Sequence, residues 1–341
     1  MRLGRSAEQE QFAVSVHDML TAADAPGAAR RWASGDRAGG LALWRKLAGV
    51  GVTALAVPER CGGLGAGLLD VVVACEELGH HAVPGPVAES VAAVPELIVT
   101  LADERLCARW LPGLAAGDLI ATLALPPWLP YAADADAAHL VLLAEPSVLR
   151  LAVPGTRHQS VDPGRSVSEV SGGEVLARGP AAARAYARAL QVGALASAAQ
   201  LLGAGRALLA ASVRHAGQRT QFGHPVGSFQ AVKHQLADVA IGLEFARPLL
   251  DAAASTLAAG GATAARDVSA AKVACTDAAH RAARAALQVH GAIGYTQEHD
   301  LHLWLTKVRA LAGAWGSQSE HRARVMAAIA GGRAGPELAW S

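Results

Sequence analysis

The 341 residues carry 30 lysines and arginines against 29 aspartates and glutamates, and 52% of them are hydrophobic while only 4% are aromatic. A near-neutral balance argues against a nucleic-acid or membrane-surface binder. The length exceeds what one hydrophobic core usually serves, so two or three domains are expected, and the alanine and leucine content favours helix.

In chain order, Ala7–Ala22 reads as an amphipathic helix and Gly40–Leu47 as part of a second. The opening MRLGRSAEQEQF lacks the apolar core of a signal peptide. The short apolar run Gly51–Val57 leads into a tight glycine-rich connector, Pro58 to Gly65. Leu68–Leu78 resumes helix, with Gly79 as its expected C-cap. After the breakers Pro84, Gly85 and Pro86, Ala88–Leu101 and Glu104–Leu111 read as further helices. The texture then changes. Ala121–Leu125, His139–Glu145 and Val148–Pro154 are short β-like runs between turn-rich pieces, ending near Arg178. From Pro180 onward long helices return: Ala181–Arg214, Phe229–Ala259 and Thr263–His290, then shorter ones over Asp300–Ala312 and Ser317–Ala330. The reading is mainly α with a reduced β domain: 1–118 helical, 119–178 a shortened β module, 179–341 a helical bundle. Arg184, Arg188 and Arg206 interrupt the apolar stretch Ala181–Ala211, which marks it as buried in protein rather than in lipid. Four widely spaced cysteines (Cys61, Cys75, Cys107, Cys275) form no CxxC pair and read as small buried residues of a reducing, cytoplasmic compartment.

Two stretches carry chemistry. Arg219-Thr220-Gln221-Phe222-Gly223, followed by Pro225-Val226 and Phe229-Gln230, lies between two long helices. A guanidinium offers a fixed fork of donors to phosphate, and Gly223 lets the backbone approach. The second, Gln288-Val289-His290-Gly291-Ala292-Ile293-Gly294-Tyr295-Thr296, ends a long helix in a glycine-bearing turn. Alone, each has a plainer reading: a helix–helix loop, and a glycine C-cap.

Together and in this order they resemble the C-terminal domain of the acyl-CoA dehydrogenase family. The run LWRKLAGVGVTALAVPERCGGLGAGLLDVVVACEELGHHAVPGP resembles that family's N-terminal domain. The resemblance implies a helical domain, a β domain and a helical bundle, with FAD held where subunits meet. It also implies that Arg219, Gln221, Phe222, Gln230, Gln288, His290, Gly291 and Gly294 contact the ADP half of a neighbour's FAD.

The reaction needs a general base, which the family supplies as a glutamate. Counting from Gly294-Tyr295-Thr296, that stretch falls on Ala314-Trp315-Gly316-Ser317, so Trp315 stands at the base position. The alternative base region, Ala185 to Ala189, has no carboxylate, and Asp238, Glu244, Glu298 and Glu320 read as helix-face or solvated groups. Leu123–Pro130 stands where the family's first flavin-ring contact belongs. Asp162-Pro163-Gly164-Arg165 resembles a later landmark of that β domain. Both losses fall on one half of the site. The chain is therefore similar to the short, base-lacking subunits of heteromeric bacterial enzymes that dehydrogenate steroid side-chain CoA thioesters, typically α2β2. That similarity implies a partner subunit with the catalytic Glu, an acyl-CoA substrate and electron-transfer flavoprotein or a similar acceptor, with no catalytic residue and no metal in this chain. Two other readings stay open: a homo-oligomer with a non-standard base, acting in secondary metabolism, and a flavin-free scaffold.

Overall fold

The computed structural model describes residues 4–296 and 298–331; the last ten residues of the expected third domain lie outside them. Six helices come first: α1 (Ala7–Ala22), α2 (Ala25–Ala33), α3 (Ala38–Gly49), α4 (Leu68–His80), α5 (Val94–Leu101) and α6 (Glu104–Ala115). Ser6 starts α1 with a reciprocal capping box to Gln9. A π-helical turn over Ala88–Ala93 runs directly into α5. The short α2 is not anticipated from the sequence, because Pro26 and Gly27 in its first turn mimic a loop. Asp24 caps it by accepting from the Gly27 N–H, and proline is tolerated there.

Five strands follow: β1 (Ala121–Ala124), β2 (Ala132–Ala133), β3 (Leu140–Glu145), β4 (Val148–Gln159) and β5 (Ser166–Arg178). Their order is β1-β3-β4-β5-β2, with β1 parallel to β3 and the other pairings antiparallel. The 13-residue β5 is the longest strand and the one the sequence hides. Gly172 and Gly173 break its alternation, and its register against β4 shifts at three places.

The bundle comprises α7 (Pro180–Gln218), α8 (Gln230–Ala258), α9 (Ala264–His290), α10 (Leu301–Gly313) and α11 (Gln318–Ile329), with a small hairpin, β6 (Thr220–Gln221) and β7 (His224–Pro225), between α7 and α8. Among the described residues α7 alone is long and apolar enough to cross a membrane, and 89% of its most apolar stretch is buried inside the protein. One apolar core runs without a break from Val16 through the sheet to Trp315. All four cysteines are free thiols, three of them buried.

The crossing of α4 over α7 sets the frame. Gly79 does not cap α4 as its position suggests; it lies inside the helix, and a Cβ there would fall 2.1 Å from the Gln200 carbonyl oxygen. Gly203 answers it, since its Cβ would fall 1.8 Å from the Glu76 carbonyl oxygen. Two glycines let the backbones touch. Beside the crossing, the fully buried carboxylate of Glu76 is held by Arg5 at 2.6 Å, Arg206 at 2.7 Å and Arg247 at 3.0 Å. Burial alone would raise its pKa, but the three guanidiniums outweigh burial and hold it below the usual carboxylate value.

Candidate functional site

The first motif leaves the bundle at the end of α7. The backbone turns extended at Arg219, whose N–H still donates to the His215 carbonyl, while its own carbonyl accepts from Val226. Phe222 and Gly223, at φ 52° and 79°, form the two-residue turn of the hairpin. Two positive φ values suit the twist of such a turn, and glycine adopts one freely. Phenylalanine does not, and here its ring is 90% exposed, with Phe229 edge-on at 6.3 Å between centroids. Arg219, Gln221 and Gln230 are exposed too, and the Gln221 amide donates to the Thr220 carbonyl.

The second motif closes α9. Gly291 sits at φ 64°, ψ −142°, exposed, with open space where a Cβ would project. Gly294 is buried against Leu301, His290 and Leu287, so it packs the turn. Gln288 is exposed on the last turn of the helix. His290 points inward: it is 4% exposed, and its Nδ1 bonds the Ala286 carbonyl at 2.8 Å. Its ring stacks on His215 at 4.3 Å and meets His299 at 5.0 Å. The ends of α7 and α9 are thereby joined, which brings the two motifs to one place. Burial lowers the pKa of both His215 and His290, and the Arg219 charge lowers that of His215 further. With these imidazoles neutral, Arg219 is a fixed cation among exposed amides and a glycine-bared backbone. That donor set fits a dinucleotide diphosphate.

The position that counting along the sequence assigns to the family's base is occupied by packed side chains. Trp315 is fully buried at φ 62°, and its ring lies on α7 where Gly193 leaves room; a Cβ at Gly193 would stand 2.3 Å from the indole. The Trp315 Nε1–H donates to the Glu89 carboxylate at 3.2 Å. The His321 ring donates from Nε2 to the Trp315 carbonyl at 2.9 Å, and the Gly316 N–H donates to the Trp128 carbonyl at 3.1 Å. Ser317 then caps α11 in a reciprocal box with Glu320, which is therefore a capping group rather than a solvated one. Asp238, Glu244 and Glu298 are exposed. In the alternative base region Tyr186 donates to the Pro126 carbonyl and Arg188 pairs with Glu96. Leu123, Ala124, Leu125 and Leu129 are buried core, so the segment Leu123–Pro130 faces inward over much of its length.

Glu89 is the group that reading the sequence misses. It lies on the π-helical turn, 2% exposed, with Arg165 Nη2 at 3.7 Å. Burial raises its pKa, against the opposing pull of Arg165. The turn at Asp162, which accepts from the Gly164 N–H, delivers Arg165 to this place. The available signal was a carboxylate inside the apolar run Ala88–Leu101, which holds one other, Glu96.

Comparison with known proteins matches the same halves. Residues 6–118 match the family model described as acyl-CoA dehydrogenase, N-terminal domain, and residues 178–330 match acyl-CoA dehydrogenase, C-terminal domain. Acyl-CoA dehydrogenase IpdE2 of Mycobacterium tuberculosis is 31% identical over 312 residues, covering 89% of this chain and 92% of that one. A variant of the Tcur3481–Tcur3483 steroid ACAD superposes with TM-score 0.84 at 25% identity, covering 95% and 98% of the two chains. The ChsE4–ChsE5 complex from Mycobacterium tuberculosis gives TM-score 0.84 at 25% identity, covering 98% and 100%. The helical arrangement, the paired motifs at the ends of α7 and α9 and these matches converge, and the chain belongs to the acyl-CoA dehydrogenase family.

Proposed function

We propose that this chain is the FAD-contributing, base-lacking subunit of a heteromeric acyl-CoA dehydrogenase. One observation carries the reading: Trp315, at the position that counting assigns to the base, is a fully buried tryptophan anchored at both its indole N–H and its carbonyl, whereas the Arg219 hairpin stands exposed. In this reading Arg219 neutralises the diphosphate of an FAD seated mainly in a partner. Gln221, Phe222, Gln230 and Gln288 extend the cradle, Gly291 opens the backbone to it, and His290 and Gly294 hold its turn rigid. FAD, when bound, supplies the acceptor for the hydride removed from an acyl-CoA thioester. The partner contributes the flavin-ring contacts, the acyl-CoA pocket and the catalytic Glu; α2β2 is the expected assembly, with electron-transfer flavoprotein or a similar acceptor downstream. The proposed division of the chain is 1–118, 119–178 and 179–341, and the proposed compartment is the cytoplasm.

Two further observations support a partner. An exposed phenylalanine at positive φ costs backbone energy and gains little burial among the described residues. Ile241, Phe245 and Leu249 of α8, with Met326 and Ile329 of α11, add an apolar face beside a groove of about 800 Å³. The substrate proposal extends to steroid side-chain CoA thioesters, by analogy with the steroid ACAD that shares this fold.

Colour tests the reading. Purified alone the chain should carry little flavin; coexpressed with a glutamate-bearing relative it should be yellow, and Arg219→Ala should bleach the complex. A bright yellow homo-oligomer with dehydrogenase activity would overturn it. A colourless complex with full partner activity would favour the scaffold. The buried Glu89 favours one alternative, a homo-oligomer with a relocated base, and Glu89→Gln tests it: dehydrogenation by the chain alone that Glu89→Gln abolishes would establish that reading.

A further inference from the structure

The N-terminal helices bring together side chains that the flavin reading does not use. His17 stands on α1, while His80 and His81 end α4. One ring nitrogen from each lies within 4.8 Å of the other two. The ring centroids are 4.6 Å apart for His17 and His81, and 5.1 Å for each of the other pairs. A fourth donor joins them: Glu77 Oε2 is 3.0 Å from His17 Nδ1.

Proton counting within this group is awkward. His17 Nδ1 faces the Glu77 carboxylate and, at 3.1 Å, His81 Nε2. A proton on His17 Nδ1 can serve one neighbour well; without it, two lone pairs confront each other. The Nδ1 of His80 is buried and has no hydrogen-bond partner among the described residues. Burial pushes His80 and His81 each to about 4, so both are neutral imidazoles, the form that ligates metal. A cation supplies what protons cannot, a single acceptor for several lone pairs.

We propose that His17, His80, His81 and Glu77 form a site for a divalent cation of the zinc class. Three imidazoles and a carboxylate are the ligand chemistry that zinc takes, and four protein ligands make a closed, structural site rather than a catalytic one. Zinc–nitrogen bonds of about 2.0–2.1 Å place tetrahedral ligands about 3.3 Å apart. The two contacts of His17 are already on that scale, and His80 needs a side-chain rotation to join them. The surroundings are arranged as a supporting shell. Arg206 holds the other Glu77 oxygen at 2.8 Å, which leaves Oε2 for the cluster, and the Trp304 Nε1–H donates to the His80 carbonyl at 2.8 Å. His17, with 40% of its side chain exposed, is the entry. A bound ion would fasten α1 to the end of α4 beside the α4–α7 crossing.

The test uses the full chain, stripped with chelator and titrated with Co2+ and then Zn2+. One equivalent of Co2+ should give the intense visible absorption of a four-coordinate site, Zn2+ should displace it, and the thermal midpoint should rise. His17→Ala and His81→Gln should weaken binding more than about 10-fold, because even lost outer-shell contacts cost that much. His234→Ala, on the exposed face of α8, should leave it unchanged. The proposal is overturned by the lack of a saturable one-equivalent site, or by unchanged affinity in His17→Ala with native circular dichroism. His17→Gln replaces His17→Ala if the latter fails to fold.

Discussion

Replacing Trp315 probes most directly the position that counting assigns to the family's base. The indole is fully buried, and a ring of this kind covers about 150–250 Å². At about 25 cal/mol per Å² that is about 4–6 kcal/mol of transfer energy, an upper bound because the unfolded chain already hides part of the ring. Trp315→Ala should therefore destabilise by about 3–5 kcal/mol. Trp315→Phe keeps most of the packing but removes the N–H donated to buried Glu89, which isolates about 1–3 kcal/mol for the stranded carboxyl. The backbone supplies an internal control. At φ 62°, alanine pays about 1–2 kcal/mol that glycine does not, while glycine loses about 0.5–1 kcal/mol more chain entropy. Trp315→Gly should then be at least as stable as Trp315→Ala, the reverse of the usual order. Urea denaturation followed by circular dichroism measures all three. A loss below about 1 kcal/mol for Trp315→Ala would mean that the indole does not plug this position, and a Trp315→Gly variant clearly weaker than Trp315→Ala would refute the backbone assignment.

Arg219→Ala should leave the melting curve of the isolated chain unchanged, since the side chain is exposed, yet weaken FAD retention in the coexpressed complex roughly 10-fold or more, read by flavin content after gel filtration. Glu76→Gln should cost about 1.5–3 kcal/mol, the scale of hydrogen bonds to a charged group, because Arg5 keeps Asp251 and Arg206 keeps Glu77. Because the folded pKa of Glu76 is depressed, its stabilisation is present above its ordinary value of 4.5 and is lost as pH falls through the lower folded value. Acid denaturation of Glu76→Gln should accordingly show a shallower slope below pH 4.5. Gly203→Ala should destabilise by at least about 1–3 kcal/mol, because its methyl group would meet the Glu76 backbone, and differential scanning calorimetry should record a clear fall in melting temperature.

Local signals made much of this protein legible in its sequence. Helical periodicity places α1 to the residue and the long helices α7, α8 and α9 to within a few, because each repeats one apolar face over many turns. The family motifs were equally readable, since the order of residues within each needs no coordinates. Elements whose identity depends on distant partners were not readable. The strand β5 owes its existence to β4, and its own glycines and polar residues argue against it. Gly79 looked like a helix end because a cap and a close crossing demand the same residue, and only the approach of α7 separates the two. Glu89 and Trp315 are 226 positions apart in sequence and share a hydrogen bond, while His17 meets His80 and His81 across more than sixty residues. Sequence by itself determined the long helices and the family motifs, which are written in neighbouring residues. Tertiary structure alone decided which buried polar groups face one another, because desolvation and lone-pair geometry depend on what the folded chain packs around them.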